Sequence, residues 1–219
     1  MLPLRDVIPS RTTPWITLSL IVVNAGVFLH TMGLSAGARE QFVLSYGLIP
    51  ASFSWVSAVT SMFLHAGWIH VVGNVWALWL FGDSVEDRMG HGRFLIFYLV
   101  AGLAAALAQT YASTDAELPL VGGSGAIAGI IGAYVVLFPQ SRILVMIFLF
   151  VFIDVVEVSA VFFLVFWFVL QIVSGAGQLA NLAGASIGFS ALIGGFLTGM
   201  ISVWGFRRRE RLDSEWWGP

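Results

Sequence analysis

VSAVFFLVFWFVLQIVSGAGQLANLAGASIGFSALIGGFLTGMISVWGF, residues 158–206, runs for 49 residues without an Asp, Glu, Lys or Arg. As one helix it would reach about 74 Å at 1.5 Å per residue, more than twice the ~30 Å of a bilayer's hydrocarbon core. It therefore holds two spans, and Ser174-Gly-Ala-Gly-Gln-Leu-Ala-Asn181 is the polar, flexible turn between them. Outward from this stretch, the other long charge-free runs are 12–38, 41–82, 94–114 and 118–141. The first, third and fourth each hold one span. Run 41–82 divides: Ile69 to Phe81 is a dense apolar helix pattern, whereas Gly47, Pro50, Ser52, Ser54 and Ser57 predict an interfacial loop with aromatic anchors.

The arginines choose between six spans and seven. With six, Arg5, Arg11, Arg88, Arg93, Arg142, Arg207, Arg208, Arg209 and Arg211 fall on one side and only Arg39 on the other. A seventh span within 41–68 would scatter them. Positive residues favour the cytoplasmic face, so the expectation is an all-α polytopic membrane protein of six helices with both termini cytoplasmic. Residues 1–206 form the membrane domain and 207–219 a short basic and aromatic tail that rests at the headgroups. Composition agrees: 58% of residues are hydrophobic and 10% charged, and the mean hydropathy is +0.92. A soluble domain carries about 25% charged residues.

The same numbers exclude several functions. A net charge of -2 with no lysine gives no basic surface for nucleic acid. No phosphate-cradling GxxxxGK loop is present. Without cysteine there is no thiolate metal site or thiol chemistry, and neither a metal nor a cofactor is expected. Asp6 and the polar residues 10–13 precede the first apolar run, which reads as a retained span and not a signal peptide. Ile143 to Ile153 is only 11 apolar residues, too short to cross, and reads as an interfacial or re-entrant approach to the fifth span. Asp154 and Glu157 then lie at the cytoplasmic surface. Gly125/Gly129 and Gly195/Gly199 are small-xxx-small pairs that predict close packing of the fourth span on the sixth.

Polar groups in a span are costly, so each needs a reason. His65, His70 and Asn74 open the second span, and the last two stand four apart on one helical face. Ser124 opens the fourth inside Gly122-Gly123-Ser124-Gly125, a turn that leaves its hydroxyl unshielded. In the six-span topology all four residues lie at one depth in the outer half of the membrane. Singly, each is an ordinary interhelical hydrogen-bonding group or a helix start. Together they suit acyl transfer, with Ser124 attacking and His70 and Asn74 holding the developing oxyanion.

The stretch Thr60-Ser-Met-Phe-Leu-His65-Ala-Gly-Trp-Ile-His70-Val-Val-Gly-Asn74, the Gly122–Gly125 turn and Ala191-Leu192-Ile193-Gly194-Gly195-Phe196 resemble the rhomboid intramembrane serine proteases. Pro3-Leu-Arg-Asp6 and Phe81-Gly-Asp-Ser-Val-Glu-Asp-Arg-Met-Gly90 resemble their bacterial branch, and the resemblance covers nearly the whole chain. It implies a six-helix bundle in a bacterial inner membrane that cuts transmembrane segments of other proteins. It also implies Ser124 as nucleophile, His70 and Asn74 as the oxyanion pair, and Gly123 and His65 beside them. Loop 174–185 would be a mobile cap over the site.

The resemblance breaks at one place. The family pattern in the sixth helix is Ala-His-x-Gly-Gly-Phe, and here the base position is Leu192. Nor does any shift of register help, since Ser174 to Phe206 contains no His, Asp, Glu, Lys, Arg or Tyr. The four histidines, His30, His65, His70 and His91, all precede residue 92. A serine without a proton acceptor is a weak nucleophile, so the expected protein is proteolytically silent, a pseudoprotease that holds transmembrane segments without cutting them. The alternative is an active endopeptidase using His70 or His65 as an unconventional base. A transporter is disfavoured, since the spans carry no ion-binding acids and the halves no repeat.

Overall fold

In the computed structural model, residues 2–113, 116–149, 152–166 and 188–208 are described. The centre is a short apolar helix, Ser124–Leu137 (α6), in which only Ser124, Val135 and Val136 escape full burial. Its 14 residues reach about 21 Å, less than a bilayer core. Glycine lets its neighbours approach. Against it lies Phe189–Phe206 (α7), and a Cβ on Gly195 would strike the Gly125 carbonyl, as one on Gly199 would strike that of Gly129. The predicted fourth-on-sixth contact is therefore made backbone to backbone. The third helix of this slab, His91–Ala112 (α5), meets the same stripe with Ala101 and Ala105.

A second layer pairs Trp15–Gly33 (α1) with Trp68–Met89 (α4). The acidic end of α4 explains the angle at which α1 starts. Glu86, 1% exposed, accepts from the Ile16 N–H (3.0 Å), the Thr17 N–H (2.8 Å) and the Thr17 hydroxyl (2.7 Å). A carboxylate there satisfies orphan donors and complements the helix dipole. Asp87 receives the N–H groups of Arg11 and Thr12. At the far end of α1, the Arg39 guanidinium donates to the carbonyls of Thr31 and Met32, both at 3.1 Å. The one arginine that broke the charge pattern caps a helix.

Among the described residues, three helices are individually long and apolar enough to cross a membrane: α1, α5 and α7. Residues 55–63 and α4, which meet at a 91° bend, together have the length and composition of a fourth, as a broken span or a re-entrant loop. The first half of run 41–82 is covered by two short helices, Ala36–Tyr46 (α2) and Trp55–Thr60 (α3), with single turns between and after them. Trp55 and Trp68 are exposed there, as interfacial anchors should be. Residues 160–166 are helical. The predicted turn at 174–181, the cap 174–185 and the tail from 209 onward lie outside the described residues.

The all-α expectation is corrected: residues 143–149 and 152–153, in the approach to the fifth span, lie in a three-stranded antiparallel sheet, ordered Leu2–Asp6 (β1), Arg142–Leu149 (β2) and Phe152–Ser159 (β3). The reason is residue type. β-branched side chains fit a pleated surface, and alternate positions Ile143 and Val145 are buried on the bundle. Asp154 and Glu157 are exposed on the edge strand, where Glu157 accepts from Arg142 at 3.1 Å. The sheet docks through Asp6, whose Oδ2 accepts from the hydroxyls of Ser84 (2.7 Å) and Tyr134 (3.0 Å). Burial pushes the Asp6 carboxyl above its ordinary 3.8, against the lowering effect of those two hydrogen bonds.

Candidate active site

One backbone hydrogen bond and one close side-chain approach set the Gly122–Gly125 turn. The Gly122 N–H donates to the Ser61 carbonyl (2.9 Å), joining the turn to residues 61–63. Gly122 has φ +128°, a region L side chains rarely adopt, and a Cβ on it would stand 2.6 Å from His70 Nε2. The imidazole of His70 therefore lies directly on the turn. Gly123 is buried behind it, its Cα side facing the Met62 carbonyl and the Tyr98 hydroxyl. Ser124 follows at the first position of α6, half-buried.

His70 and Asn74 lie one turn apart in α4, and both line the cavity that Ser124 lines. Leu192, 4% exposed on α7, lines it too. This cavity is about 1330 Å³ and largely apolar, and it extends from the Gly122–Gly125 turn to Trp76 and Pro3 near the sheet. His65 is not among its lining residues. It is buried behind, where Asn74 Nδ2 and His65 Nε2 lie 2.9 Å apart, with its ring edge-on to His70 at 5.1 Å. An amide nitrogen only donates, so Asn74 Nδ2 donates and His65 Nε2 accepts. One Asn74 N–H is thereby engaged and the other remains for a ligand. His65 orients Asn74, while Ser124, His70 and Asn74 share the cavity. Among the described residues no cluster of His, Asp or Glu could hold a metal ion.

Residues 52–209 match the rhomboid domain family. The chain belongs to the rhomboid family. Its relatives include the rhomboid protease GluP of Bacillus subtilis, 35% identical over 114 residues, which are 52% of this chain and 21% of that protein. The putative rhomboid protease YdcA of the same organism is 35% identical over 92 residues, 42% of this chain and 46% of that protein. Rhomboid protease AarA of Providencia stuartii is 28% identical over 140 residues, 55% of this chain and 50% of that protein. This rhomboid thus spans between about a fifth and a half of the length of these relatives. With its apolar helices, the family makes it an integral membrane protein.

Two residues beside the site escaped the sequence reading. Gln109, buried on α5, lines the cavity and accepts from the Ala191 N–H at 3.2 Å, tying α5 to the residue before Leu192. Its signal was a polar residue within charge-free run 94–114, the criterion that found Asn74. Trp76 donates its indole N–H to the Pro3 carbonyl at 3.0 Å and so closes the inner end of the cavity with β1. No sequence signal pairs those two, since the contact depends on where the sheet docks.

Proposed function

We propose that this rhomboid is a pseudoprotease: it keeps an oxyanion-type pocket and an apolar cavity for transmembrane segments but does not cleave them. One observation carries the reading. Leu192 occupies the cavity wall where the family resemblance puts the base, and Phe189–Phe206 contains no titratable side chain. Carbonyl binding needs only donors, which His70 and Asn74 supply. Cleavage also needs the Ser124 proton to be taken and then given to the leaving amine. With a hydrocarbon side chain there, the first half remains and the second is lost.

The setting proposed is a bacterial inner membrane, with six spans and both termini in the cytoplasm, and transmembrane segments of other proteins as partners. The test is a fluorophosphonate probe, which labels only a serine whose proton a neighbour accepts. The expected result is no labelling of Ser124 above that in Ser124→Ala. Robust labelling, lost in Ser124→Ala, would establish an active endopeptidase. His70 would then be the group to examine as base, since it lines the cavity beside Ser124.

A further inference from the structure

Where α4 gives way to α5, Gly90 holds φ +79°. Its missing side chain leaves room for a cation. The Arg208 guanidinium lies against the Gly90 Cα, where any Cβ would collide with it. Arg208 is delivered there by its N–H, which donates to the Arg88 carbonyl at 2.9 Å just beyond α7. Arg93, in the first turn of α5, faces the same surface cavity of about 500 Å³, whose other lining residues are Met89, Gly90 and Gly92. Two cations from separate elements thus converge on a floor of two glycines.

Other charges nearby have partners. Arg142 pairs with Glu157, Arg207 covers the Trp204 ring at 4.2 Å, and Arg88 faces the Phe138 ring at 5.8 Å. The acids ending α4 are turned away: Glu86 toward Ile16, Thr17 and His91, and Asp87 toward residues 11–12. Among the described residues, neither Arg93 nor Arg208 has an ion-pair partner, and the first turn of α5 holds no acid. Like charges across one cavity repel, and an anion between them reverses the sign of that interaction. Guanidinium forks match phosphate oxygens in geometry as well as charge.

We propose that Arg93 and Arg208 form a phosphate-binding site, occupied by the headgroup phosphate of an anionic phospholipid. The site lies at the end of the bundle where the arginines gather, outside the apolar helix length. It is remote from Ser124 in sequence and shares no lining residue with the cavity there.

The test uses the full chain in neutral detergent, titrated with phosphatidylglycerol or phosphatidylcholine, with retained lipid read by native mass spectrometry and the unfolding midpoint in parallel. Phosphatidylglycerol is expected to bind at least tenfold more tightly than phosphatidylcholine. The double variant Arg93→Gln/Arg208→Gln should lose that preference, while Arg207→Gln, whose guanidinium lies on Trp204, should keep it. Gly92→Asp guards against misfolding: a Cβ on Gly92 meets nothing within 4 Å, and an acid in a helix's first turn is favourable. It should abolish the preference without lowering the lipid-free midpoint. Inorganic phosphate separates the sources: if millimolar phosphate raises the midpoint of the parent but not of Gly92→Asp, and phosphatidylglycerol adds nothing, the ligand is the free anion. Unchanged phosphatidylglycerol preference in both Gly92→Asp and the double variant would overturn the site.

Discussion

On the proposed pseudoprotease reading, a proton acceptor at residue 192 is all that cleavage lacks, and Leu192→His tests that. The position is prepared in three respects. Its side chain lines the cavity that holds Ser124, its backbone is fixed by Leu192 N–H to Gly188 O (3.0 Å), and the preceding N–H is held by Gln109. An imidazole there, largely shielded from water, stays neutral, which is the form that accepts a proton. Loss of a triad member costs about 10⁴–10⁶ in kcat in serine proteases, or roughly 5.5–8 kcal/mol at 1.36 kcal/mol per decade. The substitution forfeits the burial of a leucine, about 1.5–3 kcal/mol of stability, so the folded midpoint must be checked first. The assay is cleavage of a fluorogenic transmembrane substrate in proteoliposomes, with Ser124→Ala/Leu192→His as blank. A rise of at least about 10³-fold over the parent, absent from the blank, is expected on this reasoning. A folded but silent and unlabelled Leu192→His would refute it, because the defect would then extend beyond the base.

Three further outcomes follow from the packing. Gly199→Ala must displace the Gly129 carbonyl and should cost about 1–3 kcal/mol, a fall of several degrees in the unfolding midpoint; Gly26→Ala, which meets nothing within 4 Å, should be neutral or stabilising. Glu86→Ala strands the Ile16 and Thr17 donors and should cost about 3–5 kcal/mol in chemical denaturation, with only the share of the Thr17 hydroxyl lost when Thr17 is already Val, since both backbone N–H donors remain. Asp6 titrates above its ordinary 3.8, so in the interval above that value the folded chain keeps a proton the unfolded chain has released. Its contribution therefore falls as pH rises through that interval, and Asp6→Asn should flatten this part of the stability profile; identical slopes in the two proteins would contradict the assignment.

How far the sequence was legible depended on how local the deciding physics was. Charge-free runs mark apolar helices, and Gly125, Gly129, Gly195 and Gly199 announce a close approach whichever partner they find, so the contact of α6 with α7 could be read in advance, while that of α5 could not. His70, Asn74 and Ser124 were legible because a polar group in an apolar run needs a partner. Ile143 to Ile153 was misread because 11 apolar residues suit a strand as well as a helix segment. What decides it is pairing with Leu2–Asp6, about 140 residues earlier in the chain. Gln109 was missed for the opposite reason: the signal was present, but a single amide in a span has too many ordinary uses to stand out.

The geometry around Leu192 is set by restraints that do not run through its side chain. Asn74 is oriented by His65, and His70 lies against Gly122. The nucleophile turn is hung from the Ser61 carbonyl and backed by Met62 and Tyr98. None of these restraints runs through residue 192. α7 in turn is positioned by Gly195, Gly199 and the Ala191 bond to Gln109, none of which needs a titratable side chain. The restraints that hold this fold therefore ask for no titratable side chain at residue 192.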